Sequence, residues 1–303
     1  MKRRSFIKNT TLTLGALAFL SKDTLAFFLN DPAYNIKMLT DTIGVFTEKG
    51  GTILFMLGKK GITVVDSQFP DTAQHCIDEI KKKSGKPFDL LINTHHHGDH
   101  TGGNIAFKGL AKNVVAHENS KINQLAAAVK NNTEAKQLYP DLTYSSVWTK
   151  KNGRETIQLR YLGRAHTNGD SYVHFKRANI VHVGDLVFNR RHPFVDRTAG
   201  AHIGDWITNL TNATALFEEN TIYVCGHAGT GHDIVIKKAD VLLFINYLSN
   251  VLKHTKESMA KGITKEAFLK TTEIPGSPEW KGDGIKRPLE AAWDELNGIA
   301  AGK

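Results

Sequence analysis

The chain has 303 residues, a formal net charge of +9, 41% hydrophobic residues and 23% charged residues. That balance belongs to a globular protein able to bury a full core, and it excludes a disordered chain. The lysines are scattered rather than blocked, which argues against a nucleic-acid-binding surface and leaves a solvated basic exterior.

The chain opens on "MKRRSFIKNTTLTLGALAFLSKDTLAFF". Lys2, Arg3, Arg4 and Lys8 make a basic start, residues 12–20 an apolar stretch too short to span a bilayer, and Thr24-Leu25-Ala26 a cleavage point. This is the layout of an export signal, and "RRSFIK" resembles the twin-arginine type. The resemblance implies that residues 1–26 are removed, that residues 27–303 form the working domain, and that this domain is periplasmic with no stable membrane anchor. Residues 1–26 carry five basic residues and one acid, so their removal lowers the charge from +9 to +5. Two cysteines remain, Cys76 in a helical pattern and Cys225 at the end of an apolar run. Buried free thiols are favoured over a pair.

Past the signal, "IGVFT", "TILFML" and "ITVVD" predict strands separated by glycine turns. "DTAQHCIDEIKKKSG" predicts a helix, "FDLLINT" a buried strand, "NVVAH" a strand and "NSKINQLAAAVKNN" a helix. In the second half, "ETIQLRYL", "SYVHF", "NIVHVGD" and "TIYVCGH" predict strands, with "GDWITNLTNATALFEEN" a helix between the last two. A long helix over residues 237–262 and shorter ones in "TKEAFLKTT" and "PLEAAWDELNGIA" close the chain. Strands covered by helices on both sides predict layered α/β packing, with no clean boundary for a second domain.

"THHHGDHTGG", residues 94–103, follows the buried strand. In an extended segment His95 and His97 project together and His96 points the other way, packing behind the site. Gly98 permits a sharp turn that swings Asp99 and His100 back to the same space. Imidazole and carboxylate in this pattern suit two divalent ions, zinc first and also iron or manganese. Further ligands must come from elsewhere, and three strand or loop ends offer them: His166 in "GRAHTNGD", Asp185 in "VHVGDLVF" and His227 in "YVCGHAG".

The ordered set of HxHxDH, a histidine loop, GD and GH, with Asp66 in "ITVVDSQ" before them, resembles the metallo-β-lactamase superfamily over about residues 35–233. The resemblance implies an α/β fold, a four-layer αββα sandwich with C-terminal helices and the site at the edge between its two sheets. It implies one zinc ion on His95, His97 and His166, a second on Asp99, His100 and His227, and Asp185 bridging both together with a hydroxide. Asp99 would also orient that hydroxide, and Asp66 would orient a ligand from behind. His117 is read as structural. His192, Arg197 and His202, in the loop after Asp185, are candidates for the substrate mouth, and Arg190 and Arg191 share that loop.

The resemblance leaves the substrate open. In the superfamily, thioesterases and lactonases keep the bridging carboxylate, whereas zinc β-lactamases generally carry Cys or Ser there. Asp185 therefore favours hydrolysis of an ester-, lactone- or thioester-like bond in a small molecule. Export favours a β-lactamase, and a non-catalytic metal-binding scaffold is the reading from a different class. The oligomeric state is not legible.

Overall fold

The computed structural model describes residues 34–300. Residues 1–26, read above as an export signal, lie outside them. Seven strands build the first sheet: β1 (Asn35–Met38), β2 (Ile43–Thr47), β3 (Ile53–Gly58), β4 (Gly61–Val65), β5 (Phe88–Ile92), β6 (Asn113–His117) and β7 (Leu142–Tyr144), side by side in that order. Six build the second: β8 (Val147–Asn152), β9 (Glu155–Arg160), β10 (Tyr172–Phe175), β11 (Ile180–Asn189), β12 (Ile222–Ala228) and β13 (Val235–Ile236), in simple order from one edge to the other. The helices are α1 (Pro70–Lys83), the single turn α2 (Gly98–Thr101), α3 (Glu118–Lys130), α4 (Ile203–Leu216), α5 (Lys238–Ala260), the short α6 (Lys265–Phe268) and α7 (Lys286–Leu296).

Why the sheets face each other follows from side-chain alternation. Ile43, Val45, Leu54, Met56, Val65, Leu90 and Ile92 of the first sheet share one buried cluster with Ile157, Leu159, Val173, Phe175 and Val224 of the second. Strands covered on both faces lose the polar alternation, and β4 and β11 are buried at every position. The opposite face of the second sheet packs under α4, α5 and α7. There Trp206, Leu210, Phe244, Tyr247 and Leu289 join Val181 and Val183. On the outer side of the first sheet, α1 buries Ala73, Cys76, Ile77 and Ile80, and α3 follows β6. This is the expected αββα layering.

The first sheet changes direction along its order. The pairings β2–β3 and β3–β4 are antiparallel, whereas β4–β5, β5–β6 and β6–β7 are parallel. The C-terminal ends of β4, β5 and β6 therefore share one edge, which is where loops carry side chains into open space. In the second sheet β11 runs parallel to β12, so their C-terminal ends share an edge too.

Two expectations need correcting. Asp185 does not end a strand, because β11 continues to Asn189. The register against β12 shifts on either side of Gly184, whose φ of +50° makes the bulge, and a bulge re-aims the next side chain without ending the pairing. Strands β7 and β8 were also unforeseen: β8 alternates exposed Val147, Thr149 and Lys151 along an edge, a polar pattern with no apolar run to announce it.

No helix among the described residues is long and apolar enough to cross a membrane. Cys76 and Cys225 are both free and buried. Burial pushes the Cys76 thiol far up and the Cys225 thiol up to about 12. Because the thiolate is the reactive form, Ellman's reagent should label neither cysteine in the native protein and both after denaturation. Rapid labelling of either native thiol would contradict this packing.

Candidate metal centre

The candidate ligands collect at the shared strand edges. Asp66 leaves β4 with φ +61°, and the left-handed turn aims its carboxylate across to the segment leaving β5. It is fully buried and accepts from the Thr94 backbone N–H at 2.8 Å and from Thr94 Oγ1 at 2.7 Å. Its Oδ2 also lies 2.7 Å from His100 Nδ1. One carboxylate thus fixes both ends of the histidine-rich turn.

Three imidazoles then converge. His97 Nδ1 lies 3.1 Å from His95 Nε2 and 3.0 Å from His166 Nε2. Each ring is held by its far nitrogen. His95 Nδ1 is 3.0 Å from Thr94 Oγ1, whose own proton is directed at Asp66. His97 Nε2 donates to Asp196 Oδ2 at 2.8 Å. His166 Nδ1 donates to the Phe194 carbonyl at 2.8 Å. With those protons engaged outward, three lone pairs face one point. Burial, reinforced by the neighbouring rings, pushes the His95 pKa well down and that of His166 down to about 3. Neutral imidazole is the form that binds a cation, and nitrogen spacings near 3 Å approach the edge of a tetrahedron with bonds of about 2.0 Å.

A second set lies beside it. His227 Nε2 is 3.0 Å from Asp99 Oδ2, and His100 Nε2 is 3.9 Å from the same oxygen. Asp185 stands between the two sets: Oδ1 is 3.1 Å from His100 Nε2, and Oδ2 is 3.5 Å from His227 Nε2 and 3.6 Å from His166 Nε2. His95, His97, His166 and Asp185 can hold one ion, and Asp99, His100 and His227 another.

The electrostatics call for positive charge there. Burial opposes a charge on His100, yet Asp185 and Asp66 outweigh it and hold the ring's pKa well above the usual value. Burial would raise Asp185, but His227 and His100 hold it well below the carboxylate range. Asp99 is lowered to about 2, the His227 hydrogen bond overcoming its burial. His100 Nε2 and Asp185 Oδ1 are buried 3.1 Å apart without hydrogen-bond geometry and have no other hydrogen-bond partner, a costly state that a cation bound beside them would relieve. The donor set therefore fits divalent ions. Glycine makes the crowding feasible: a Cβ on Gly226 would stand 2.1 Å from Asp185 Oδ1, and one on Gly51 2.3 Å from His100 Cε1.

The remaining candidates divide. His192 is buried, lies 2.8 Å from the Tyr247 hydroxyl, and lines a cavity of about 430 Å³ together with His97, Asp99, Asp185 and His227. Arg197 is not at that cavity, because its guanidinium is drawn to Asp294 and the Ile299 carbonyl. His202 is not there either. It caps α4, accepting from the Asp205 N–H at 3.1 Å. Arg190 pairs with Asp240, and His117 caps α3 and stacks on Tyr161. His96 belongs to neither of the two ligand sets; its Nε2 lies 3.6 Å from Asp196 Oδ2, and with His97 and Asp196 it makes a third group that could hold an ion. Asp196 itself was missed. As a lone acid in an irregular loop it has no spacing to mark it, and only the fold brings it to His97.

A family model described as the metallo-beta-lactamase superfamily matches residues 46–227. A metallo-beta-lactamase type 2 of Elizabethkingia meningoseptica is 25% identical over 67% of this chain and 82% of that protein. A metallo-beta-lactamase of Chryseobacterium indologenes is 24% identical over 71% of this chain and 89% of that protein. Among solved structures, a metallo-beta-lactamase from Pontibacter korlensis superposes with a TM-score of 0.61 at 19% identity, over 72% of this chain and 99% of its own. A sec-alkylsulfatase from a Pseudomonas species superposes with a TM-score of 0.67 at 13% identity, over 86% of this chain and 50% of its own. At those identities the two structures show the fold alone.

The Asp196–His97 contact yields a test. A carboxylate behind a ligating imidazole fixes its tautomer and raises its basicity, and losing such a partner typically costs 10–100-fold in metal affinity. Asp196→Asn should therefore weaken zinc binding by about tenfold or more in a chelator competition, with the fold intact by circular dichroism. Unchanged affinity would remove Asp196 from the site.

Proposed function

The chain belongs to the metallo-β-lactamase superfamily of metal-dependent hydrolases, and on that basis we propose that it holds two divalent ions, zinc foremost, and cleaves an ester-, lactone- or thioester-like bond in a small molecule. One ion would be held by His95, His97 and His166, the other by Asp99, His100 and His227, with Asp185 serving both. Ions so held supply Lewis acidity and a nucleophile drawn from water near neutral pH.

The observation that carries this reading is the place of Asp185, buried between the two sets and within 3.6 Å of His100, His166 and His227. A carboxylate there adds negative charge and offsets part of the ions' acidity. It also takes space beside the second set, where an amine leaving group would need a strong contact. Alkoxide and thiolate leaving groups depart without that contact. Asp99, ionised and partly open to the cavity, would accept a hydrogen bond from water and orient it; its lowered pKa and its contact with His227 support this. Phe188 stacks on His227 at 5.6 Å and shields that side from solvent.

A β-lactamase is the second reading, favoured by the curated relatives just described. The two separate on kcat/KM for an aromatic lactone, a thioester and a carbapenem, measured with the mature protein after elemental analysis finds two ions per chain. We expect the lactone or thioester to be cleaved and the carbapenem to be cleaved weakly or not at all. Asp185→Ser should lose lactone hydrolysis and gain on the carbapenem while keeping its ions. A wild-type carbapenem value near 10⁶ M⁻¹ s⁻¹, roughly the middle of the enzyme range, with an inert lactone would establish the β-lactamase instead.

Location belongs to the same proposal. The "RRSFIK" stretch supports export to the periplasm by the twin-arginine route. Replacing Arg3 and Arg4 with lysine should hold the protein in the cytoplasm on fractionation. Equal periplasmic recovery of both forms would reject the route.

A further inference from the structure

Four arginines stand around the loop that follows β11 and the start of α7, and the fold treats them differently. Arg190 lies 2.5 Å from Asp240 and 3.5 Å from Glu279, with its guanidinium over the Trp280 ring. Arg197 is drawn to Asp294 and the Ile299 carbonyl. These two are neutralised, and neither lines the cavity at the metal centre. Arg191 and Arg287 do line it. Among the described residues no carboxylate stands within ion-pair distance of either one. The unneutralised cations are thus the two that face the candidate ligands.

Arg287 is also in an electrostatically poor place for a helix. It occupies the first turn of α7 beside Lys286, where the helix dipole is positive and no acidic residue offsets it. An anion in front of that turn would remove the conflict, and helix N-termini favour anions for the same reason. The guanidinium is not loose, because it sits 5.8 Å from the centre of the Phe194 ring. Phe194 is 42% exposed, one of two phenylalanines left open among the described residues. Its ring lies 5.5 Å from that of His97, so it spans the gap between Arg287 and the metal centre. Along one wall of the cavity the order is imidazole, aromatic ring, guanidinium.

We propose that Arg191 and Arg287 form an anion clamp, and that the substrate is a small molecule with a carboxylate, sulfate or phosphate group at the end remote from the bond to be cleaved. This rests on the hydrolase reading of the site. The apolar body lies along Phe194 and Phe188, and the anion reaches the two guanidiniums, whose planar donors suit an oxyanion in two-point contact. A cavity of about 430 Å³ accommodates a molecule of that size. Arg287 lies outside the stretch matched by the family model and Arg191 inside it, so one half of the clamp comes from this chain's C-terminal helices and the other from the loop after β11.

The test compares two esters with the same leaving group and the same five-carbon acyl chain, mono-4-nitrophenyl glutarate and 4-nitrophenyl pentanoate. Only the first ends in a carboxylate. The zinc-loaded protein should prefer the glutarate by about tenfold or more in kcat/KM, mainly through KM, and the ratio should shrink between 0.05 and 0.5 M NaCl. Arg191→Gln and Arg287→Gln should each lower the ratio several-fold, Arg287→Lys should restore part of it, and Arg197→Gln should keep it. Hydrolysis of both esters without preference, or a ratio indifferent to Arg191 and Arg287, overturns the clamp and leaves the hydrolase reading intact. If neither ester is cleaved, the ester-hydrolase reading falls and the clamp is decided by calorimetry on the zinc-loaded protein. There 4-phenylbutyrate should bind, 4-phenylbutanol should not, and Arg287→Gln should lose the acid. Equal binding of acid and alcohol, or none of either, overturns it.

Discussion

The arrangement hangs on the buried carboxylate of Asp66. It accepts from both the backbone and the side chain of Thr94 and engages His100, so the turn between β5 and α2 has little freedom left. Through Thr94 Oγ1 it also reaches His95. The backbone bears a cost for this, since a non-glycine residue at φ +61° is strained by roughly 1–3 kcal/mol. Asp tolerates that conformation better than most residues. A carboxylate in the same place with ordinary β geometry would follow the strand instead of crossing to its neighbour.

From that anchor the two ligand sets acquire different electrical characters. The first is three imidazoles, each turned by a neutral or charged acceptor behind it, and burial keeps His95 and His166 uncharged. The second mixes carboxylate and imidazole, and Asp185 leans on both. An ion on the nitrogen set would keep more of its Lewis acidity than one on the mixed set. The asymmetry gives the site a direction, along which a polarised carbonyl and a departing group would meet different surroundings.

Much of this was legible in the sequence because it is local. His95 and His97 share a side through the two-residue period of extended chain, and Gly98 announces the turn that returns Asp99 and His100. The strands that carry them are apolar runs bounded by glycine. What escaped reading depends on pairing or on distant packing. Asp185 looked like a strand terminus because a bulge at Gly184 is invisible until β12 is laid beside β11. Strand β8 has no apolar run to mark it, because one face meets solvent. His202 and Arg197 are close in sequence to His192, yet a helix start and the C-terminal residues claim them. Asp196 and Arg287 reach the site only through the fold.

The partners at the centre lie far apart along the chain, His97 and His166 by 69 positions, and they come from both sheets. An ion bound there would act as a cross-link. By the chain-entropy rule for covalent links, closing a loop of that length removes about 4 kcal/mol of denatured-state freedom, and coordinate bonds would act in the same direction. Stability and metal supply would then be coupled: without ions the sheets would lose their clasp, and Asp185 and His100 would keep unpaired polar atoms in the interior. Starving the cell of metal would thus deplete the protein itself, through proteolysis of the looser form, and not merely silence it.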